Sequence, residues 1–375
     1  MTRGTISIKS RRDFIKNSAG CAVLLGLAPM LASCRKEFYS ASDFVGAPKT
    51  DVHFHYGTPV DAFLTYAHSI GMHLVSVNVD AGDSIDVQLD MVLDLQKQHP
   101  GMMDFLGTFS VDDFGKDGFV DRTIAQIDRC INLGAKGIKI WKNIGMVLQD
   151  EQGNYVMADH SAFAPIFTYL EKQGIPLMAH LGEPKNCWLP YDEMTMKGNL
   201  RYYQQNPQYH MYQFPEKPSY EEQIIARDHL LERYPKLPFI GAHIGSLEWN
   251  IDEVAKRFDA YPNFTVDLSA RMPYLQLQAF EDRKKLLSFL TKYQDRILYG
   301  SDVTLRETNP AKTEERKKGL HDRWLQDWLF LATNEIVPSD QFTLESAPKE
   351  MEGLRLPRII VDKIFFKNSK RVFDI

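Results

Sequence analysis

Lys49-Thr50-Asp51-Val52-His53-Phe54-His55 opens a candidate strand over 49–54 that finishes on two histidines two residues apart. In an extended chain residues i and i+2 share a face, so both imidazoles leave the strand end on the same side. Three later runs end in the same manner: Met178-Ala179-His180-Leu181-Gly182-Glu183, Gly241-Ala242-His243-Ile244-Gly245 and Leu298-Tyr299-Gly300-Ser301-Asp302. Four apolar runs thus stop on His or Asp, which places chemistry-bearing side chains together if the strands are parallel and neighbouring.

The intervening sequence supports that arrangement. Strand-like runs fall at 49–54, 72–79, 103–109, 136–141, 175–180, 237–242, 263–268 and 296–300. Helical patterns lie between and after them, near 60–71, 84–99, 118–133, 160–173, 219–234, 247–261, 279–292 and 317–334. In 84–99, Ile85, Leu89, Val92, Leu93 and Leu95 gather on one side against Asp86, Asp90, Asp94 and Lys97, the 3.6-residue period of an amphipathic helix. Runs such as Leu74-Val75-Ser76-Val77 are apolar enough for a parallel sheet buried on both faces. Eight strand–helix units in about 250 residues predict a (β/α)8 TIM barrel, with the His and Asp strand ends at its C-terminal face. No Gly-x-Gly-x-x-Gly follows a strand, which counts against a doubly wound nucleotide-binding sheet.

The whole-chain figures agree with an ordinary globular protein. The sequence has 375 residues, 44% hydrophobic and 25% charged, with a formal net charge of -5. That composition excludes disorder, collagen and coiled coil, and the charge offers no basis for nucleic-acid binding. The four cysteines, at 21, 34, 130 and 187, form neither a disulfide framework nor a Cys-x-x-Cys zinc ribbon.

Residues 1–33 read as an export signal. Ser10-Arg11-Arg12-Asp13-Phe14-Ile15-Lys16 precedes an apolar run from Cys21 to Leu31, and the paired arginines resemble a twin-arginine signal. The apolar run is shorter than the roughly 20 residues that span a bilayer. It ends in Leu31-Ala32-Ser33-Cys34, which resembles a lipoprotein cleavage motif whose Cys34 becomes the acylated N-terminus. The expectation is a lipid-anchored protein on the periplasmic side of a membrane, with 34–47 as tether, 48–334 as catalytic barrel and 335–375 as a helical extension opened by Pro357. Loss of the basic signal would leave a more acidic body. The stretch 181–218, rich in tyrosine, is expected to cap the barrel mouth after strand 5 and shape the substrate pocket.

Histidines converging at strand ends suit a divalent metal, because neutral imidazole is a common ligand. The set on strands 1, 5, 6 and 8 resembles the amidohydrolase superfamily. Gly137-Ile138-Lys139-Ile140-Trp141-Lys142, His180-Leu181-Gly182-Glu183-Pro184, Asp295-Arg296-Ile297-Leu298-Tyr299-Gly300-Ser301-Asp302 and Lys363-Ile364-Phe365-Phe366-Lys367-Asn368 point to its amidohydrolase-2 branch, the aminocarboxymuconate-semialdehyde decarboxylase type. The resemblance covers about 48–373. It implies that His53, His55, His180 and Asp302 hold a divalent ion, most often zinc, and that His243 acts as acid/base or electrophile beside it. Such an ion lowers the pKa of bound water to about 7. Asp302 would then take a proton from that water, and His243 would polarise the scissile carbonyl or protonate the leaving group.

Lys139, on strand 4, is open to three roles: a carboxylated bridge between two metals, a cation for a substrate carboxylate, or a structural ion pair. One ion is expected without that bridge and two with it. Arg271 would clamp a carboxylate through its planar fork. Glu183 is open to two readings, a partner behind the metal ligands or an exposed loop carboxylate; Lys142 is a rim residue, and Asp267 a support for the barrel or for Arg271. The resulting expectation is a metal-dependent hydrolase of an ester, lactone or amide of a small polar or carboxylate compound, with a homo-oligomer as the expected assembly. Non-oxidative decarboxylation or hydration of an unsaturated or aromatic acid uses the same ligands and stands as the alternative. A non-catalytic binding lipoprotein would lack a ligand, and none is missing.

Overall fold

The computed structural model describes residues 37–375. The twin-arginine segment and Cys34 lie outside the described residues.

Eight parallel strands pair in chain order: β1 (Lys49–Tyr56), β2 (Met72–Val77), β3 (Met103–Thr108), β4 (Ile138–Ile140), β5 (Leu177–Ala179), β6 (Phe239–Gly241), β7 (Phe264–Asp267) and β8 (Ile297–Leu298). The Val52 amide donates to the Tyr299 carbonyl at 3.0 Å and joins β1 to the end of β8. A further strand, β9 (Val303–Leu305), continues after a break and pairs parallel with β1 through Phe54, His55 and Tyr56. The sheet is therefore closed, as the eight repeats predict. Every expected strand is present, although β4, β5, β6 and β8 are only two or three residues long.

Helices follow the strands. Ile85–Gln98 is capped by Ser84, whose hydroxyl accepts from the Val87 amide. Tyr220–Arg233 opens on a capping box between Ser219 and Glu222. Ala62–Ser69, Phe119–Asn132, Ala164–Gln173, Ile251–Ala260 and Thr313–Ala332 complete the ring with Met272–Lys292. The last of these begins seven residues before the predicted 279, at a proline-compatible first turn (Pro273), and bends at Asp282.

Two apolar layers result. Val52, Val75, Leu106, Met178, Ile240 and Leu298 fill the barrel interior, and Phe373 from the chain's end joins them. Lys136, just before β4, and Arg371, against the Asp295 carbonyl before β8, fix that end segment at the strand starts. The segment Arg358–Phe373 is helical throughout, with a wider turn at Lys363–Lys367, and its Phe373 plugs the N-terminal end of the barrel. A small hairpin of Ile336–Pro338 and Glu350–Glu352 precedes it and has no counterpart in the sequence reading. The stretch 181–218 carries the helix Lys197–Gln205 and its own small core of Cys187, Met194, Tyr203 and Met211.

Candidate metal centre at the barrel mouth

β1 does not run straight into the site. Asp51 pairs with Leu74 and Phe54 with Ser76, so β1 carries an extra residue there. This bulge interrupts the alternation of faces. Val52 belongs to the barrel interior, Phe54 to the outer layer, and His53 and His55 both reach Asp302. The Nε2 atoms of His53 and His55 each lie 3.4 Å from Asp302 Oδ1. Asp302 occupies the break between β8 and β9 with φ of 60°, and its amide donates to the His53 carbonyl at 2.8 Å. Gly300 allows this approach: a Cβ there would stand 2.4 Å from Ser269 Oγ and 2.9 Å from His53 Cβ.

His243 is held by an unusual backbone. His243, Ile244, Gly245 and Ser246 all have φ between 57° and 62°, one turn of left-handed helix. For an L-residue that conformation costs about 1–2 kcal/mol, and it persists only where surroundings over-determine it. They do so here. The His243 amide donates to Asp267 Oδ1 at 2.8 Å, the buried Arg227 guanidinium to the Gly245 carbonyl, Tyr220 to the Ser246 carbonyl, and Ser246 Oγ to the Leu181 carbonyl at 2.7 Å.

The hydrogen bonds fix the imidazole tautomers. A carbonyl and a carboxylate only accept, so His243 Nδ1 donates to Ser269 O at 2.9 Å and His53 Nδ1 donates to Asp267 Oδ2 at 2.9 Å. His53 Nε2 therefore presents a lone pair, to which Lys139 Nζ donates at 3.0 Å. His243 Nε2 likewise accepts from His180 Nδ1 at 3.2 Å, which leaves His180 Nε2 as a lone pair, buried and without a partner among the described residues. Burial disfavours the charged forms of His53, His180 and His243 and holds all three below the ordinary imidazole range; Lys139 adds to the effect on His53, His243 with Lys142 and Lys139 on His180, and Arg271 and His53 on His243, where Asp302 opposes it. Burial alone would raise the Asp302 carboxyl, but His243, His55 and His53 outweigh it and keep the group ionised.

The tightest grouping of ligand atoms is His53, His243 and Asp302, all within 4.8 Å of one another. His55 stands beside Asp302, and His180 is reached through His243. Neutral imidazoles, one ionised carboxylate and an orphaned buried Nε2 fit a divalent cation.

The other sequence-predicted residues are placed as follows. Lys139 is fully buried against His53, and burial lowers its amine to about 8. Lys142 forms an ion pair with Glu183 at the rim. Arg271 is buried and, among the described residues, donates only to the Ala270 carbonyl and leaves its Nε without a partner. Asp267 has a larger place than the sequence reading gave it, binding the His53 ring and the His243 and Ser269 amides. Its position as the last residue of β7, two after the inward Thr265, was the available signal.

A cavity of about 270 Å³ opens beside the centre, lined by His55, His180 and Asp302 on one side. Val77, Val79, Met91 and Trp141 give it an apolar wall, and Asn78, Lys142 and Arg306 polar ones. Lys139 and Arg271 are not among its lining residues.

Residues 54–375 match the amidohydrolase family Amidohydro_2. No curated protein matches the chain. Among solved structures, a 2,6-dihydroxybenzoate decarboxylase bound to 2,6-dihydroxybenzoate is 16% identical with a TM-score of 0.49, covering 88% of this chain and 100% of its own. A 4-oxalomesaconate hydratase from Rhodopseudomonas palustris is 11% identical, TM-score 0.44, covering 87% and 95%. A 5-carboxyvanillate decarboxylase from Novosphingobium aromaticivorans, with bound manganese, is 15% identical, TM-score 0.42, covering 89% and 99%.

Proposed function

The chain belongs to the amidohydrolase family Amidohydro_2, and from that premise we propose that it is a metal-dependent hydrolase of an ester, lactone or amide of a small polar or carboxylate compound. The observation that carries the reading is Asp302. Its carboxylate is ionised, stands 3.4 Å from two imidazole nitrogens, and is 30% exposed toward a cavity that water and a small substrate can enter. His53, His55, His180 and Asp302 would hold one ion, with His243 beside them; zinc is the ion proposed. A bound divalent cation supplies Lewis acidity and makes water a nucleophile near neutral pH.

The chain's own residues do the rest. Asp302 accepts the proton of the attacking water. His243, its Nδ1 hydrogen committed to Ser269 O, would take up a proton and return it to the leaving group at Nε2, which for this must exchange the hydrogen of His180 Nδ1 for the substrate. Asp267 keeps His53 in the tautomer that points Nε2 inward. Lys139 remains buried behind His53, so a second ion would require its carboxylation.

A second reading rests on the apolar wall of Val77, Val79, Met91 and Trp141, which suits an unsaturated or aromatic acid. The same ligands would then serve decarboxylation or hydration. A panel of esters, lactones, amides and aromatic acids, assayed with the wild type and Asp302→Asn, separates the two. Hydrolysis that nearly disappears in the folded variant supports the first. Release of carbon dioxide with esters, lactones and amides left intact overturns it. We further propose lipidation at Cys34 and a periplasmic location, a reading that rests on the signal sequence alone.

A further inference from the structure

We propose that Arg306 is the anchor for a carboxylate carried by the substrate at a position away from the bond that reacts. This rests on the reading of the 270 Å³ cavity as the substrate site, since Arg306 lines it together with His55, His180 and Asp302.

Three observations converge on this residue. The first is a backbone cradle. Arg306 follows β9 and lies across two glycines, Gly57 after β1 and Gly82 after β2. A Cβ on Gly57 would meet Arg306 Cγ at 3.4 Å, and one on Gly82, where φ is +72°, would stand 2.9 Å from Nη2. The positive φ of Gly82 favours glycine there, and the guanidinium lies close against its backbone. The second is charge. Lys142, the other fixed cation of the cavity lining, is neutralised by Glu183. Arg306 forms no ion pair or hydrogen bond among the described residues, although Asp83 lines the same cavity. The third is the shape of the rest. An apolar wall with an unpaired planar cation at an exposed rim matches an amphipathic acid: the body lies on Trp141, Val79 and Met91, and the carboxylate meets the guanidinium fork.

Arg271 and Lys139, the cations that sequence reading nominated for a carboxylate, do not line this cavity. Arg306 takes that role from a position the strand pattern did not mark.

Benzoate and its neutral isostere benzamide are suitable probes, titrated against the full chain as purified and against Arg306→Gln, with tryptophan fluorescence as readout. Wild type is expected to bind benzoate at least tenfold more tightly than benzamide. Arg306→Gln is expected to lose most of that preference with metal content unchanged. A preference retained in Arg306→Gln places the carboxylate elsewhere, for instance on the ion, and overturns the proposal; so does the absence of any preference in wild type. The catalytic reading is judged separately by metal content and turnover. A metal-free, inactive chain that still shows an Arg306-dependent preference would remove that reading and leave this one standing.

Discussion

Asp267 accepts the Nδ1 hydrogen of His53 at 2.9 Å, and both side chains are fully buried. The other Asp267 oxygen receives the amides of His243 and Ser269 at 2.8 and 3.0 Å. One carboxylate therefore orients an imidazole of β1 and anchors the left-handed turn after β6. Burial alone would raise its pKa, but His53, His243 and Lys139 outweigh that and hold it well below the usual carboxylate range.

Asp267→Asn removes that charge and places an amide hydrogen against one of these donors. Loss of such an orienting group typically weakens metal binding roughly 10–100-fold. Competition with a chromogenic chelator measures it. An affinity equal to wild type would show that Asp267 is only structural.

Gly300→Ala tests the close approach behind the site. The new methyl would stand 2.4 Å from Ser269 Oγ and 2.9 Å from His53 Cβ, inside the packed barrel. Overpacking of this kind costs about 1–3 kcal/mol. A lowered denaturation midpoint together with weaker metal binding is expected. Unchanged values of both would mean that the strand break can move freely.

Asp327, a buried residue of the helix Thr313–Ala332, gives a pH prediction. Burial raises its pKa from 3.8 to about 6, against lowering by Arg323 and by the Tyr299 hydroxyl, which donates to it at 2.9 Å. The folded state holds this proton more tightly than the unfolded chain. Its contribution is therefore present below about pH 4 and lost as pH rises through 6, on the order of 3 kcal/mol. Asp327→Asn keeps an acceptor for Tyr299 and does not titrate. Urea denaturation should show the variant gaining on wild type between pH 4 and 7; parallel curves would contradict the assignment.

Cys34→Ala tests the proposed anchor. The variant is expected in the soluble periplasmic fraction, and wild type in the membrane fraction. An unchanged distribution would remove the lipidation reading.

Much of the fold was legible because buried parallel strands leave a strong local mark. Val52, Val75, Met178, Ile240 and Leu298 sit in short apolar runs, and each run fills the barrel interior. His53, His55, His180, His243 and Asp302 were legible as strand-end residues for the same reason. What the sequence concealed depends on contacts far apart in the chain. The bulge at Asp51–Phe54 leaves no trace in residue type, and Ile244, β-branched, is a poor signal for a left-handed turn. Arg227, in a helix near residue 230, stabilises that turn through a contact no periodicity reveals. Arg306 follows β9, the continuation of the interrupted eighth strand, past the point where the apolar pattern ends.

The central claim is that His53, His55, His180 and Asp302 hold a catalytic divalent ion, with His243 beside it. Elemental analysis of wild type and Asp302→Asn, both purified without chelators, tests it most directly. The account predicts about one zinc or similar ion per wild-type chain and a marked loss in the variant. A wild-type chain that holds no metal, even after reloading with zinc or manganese, would contradict it.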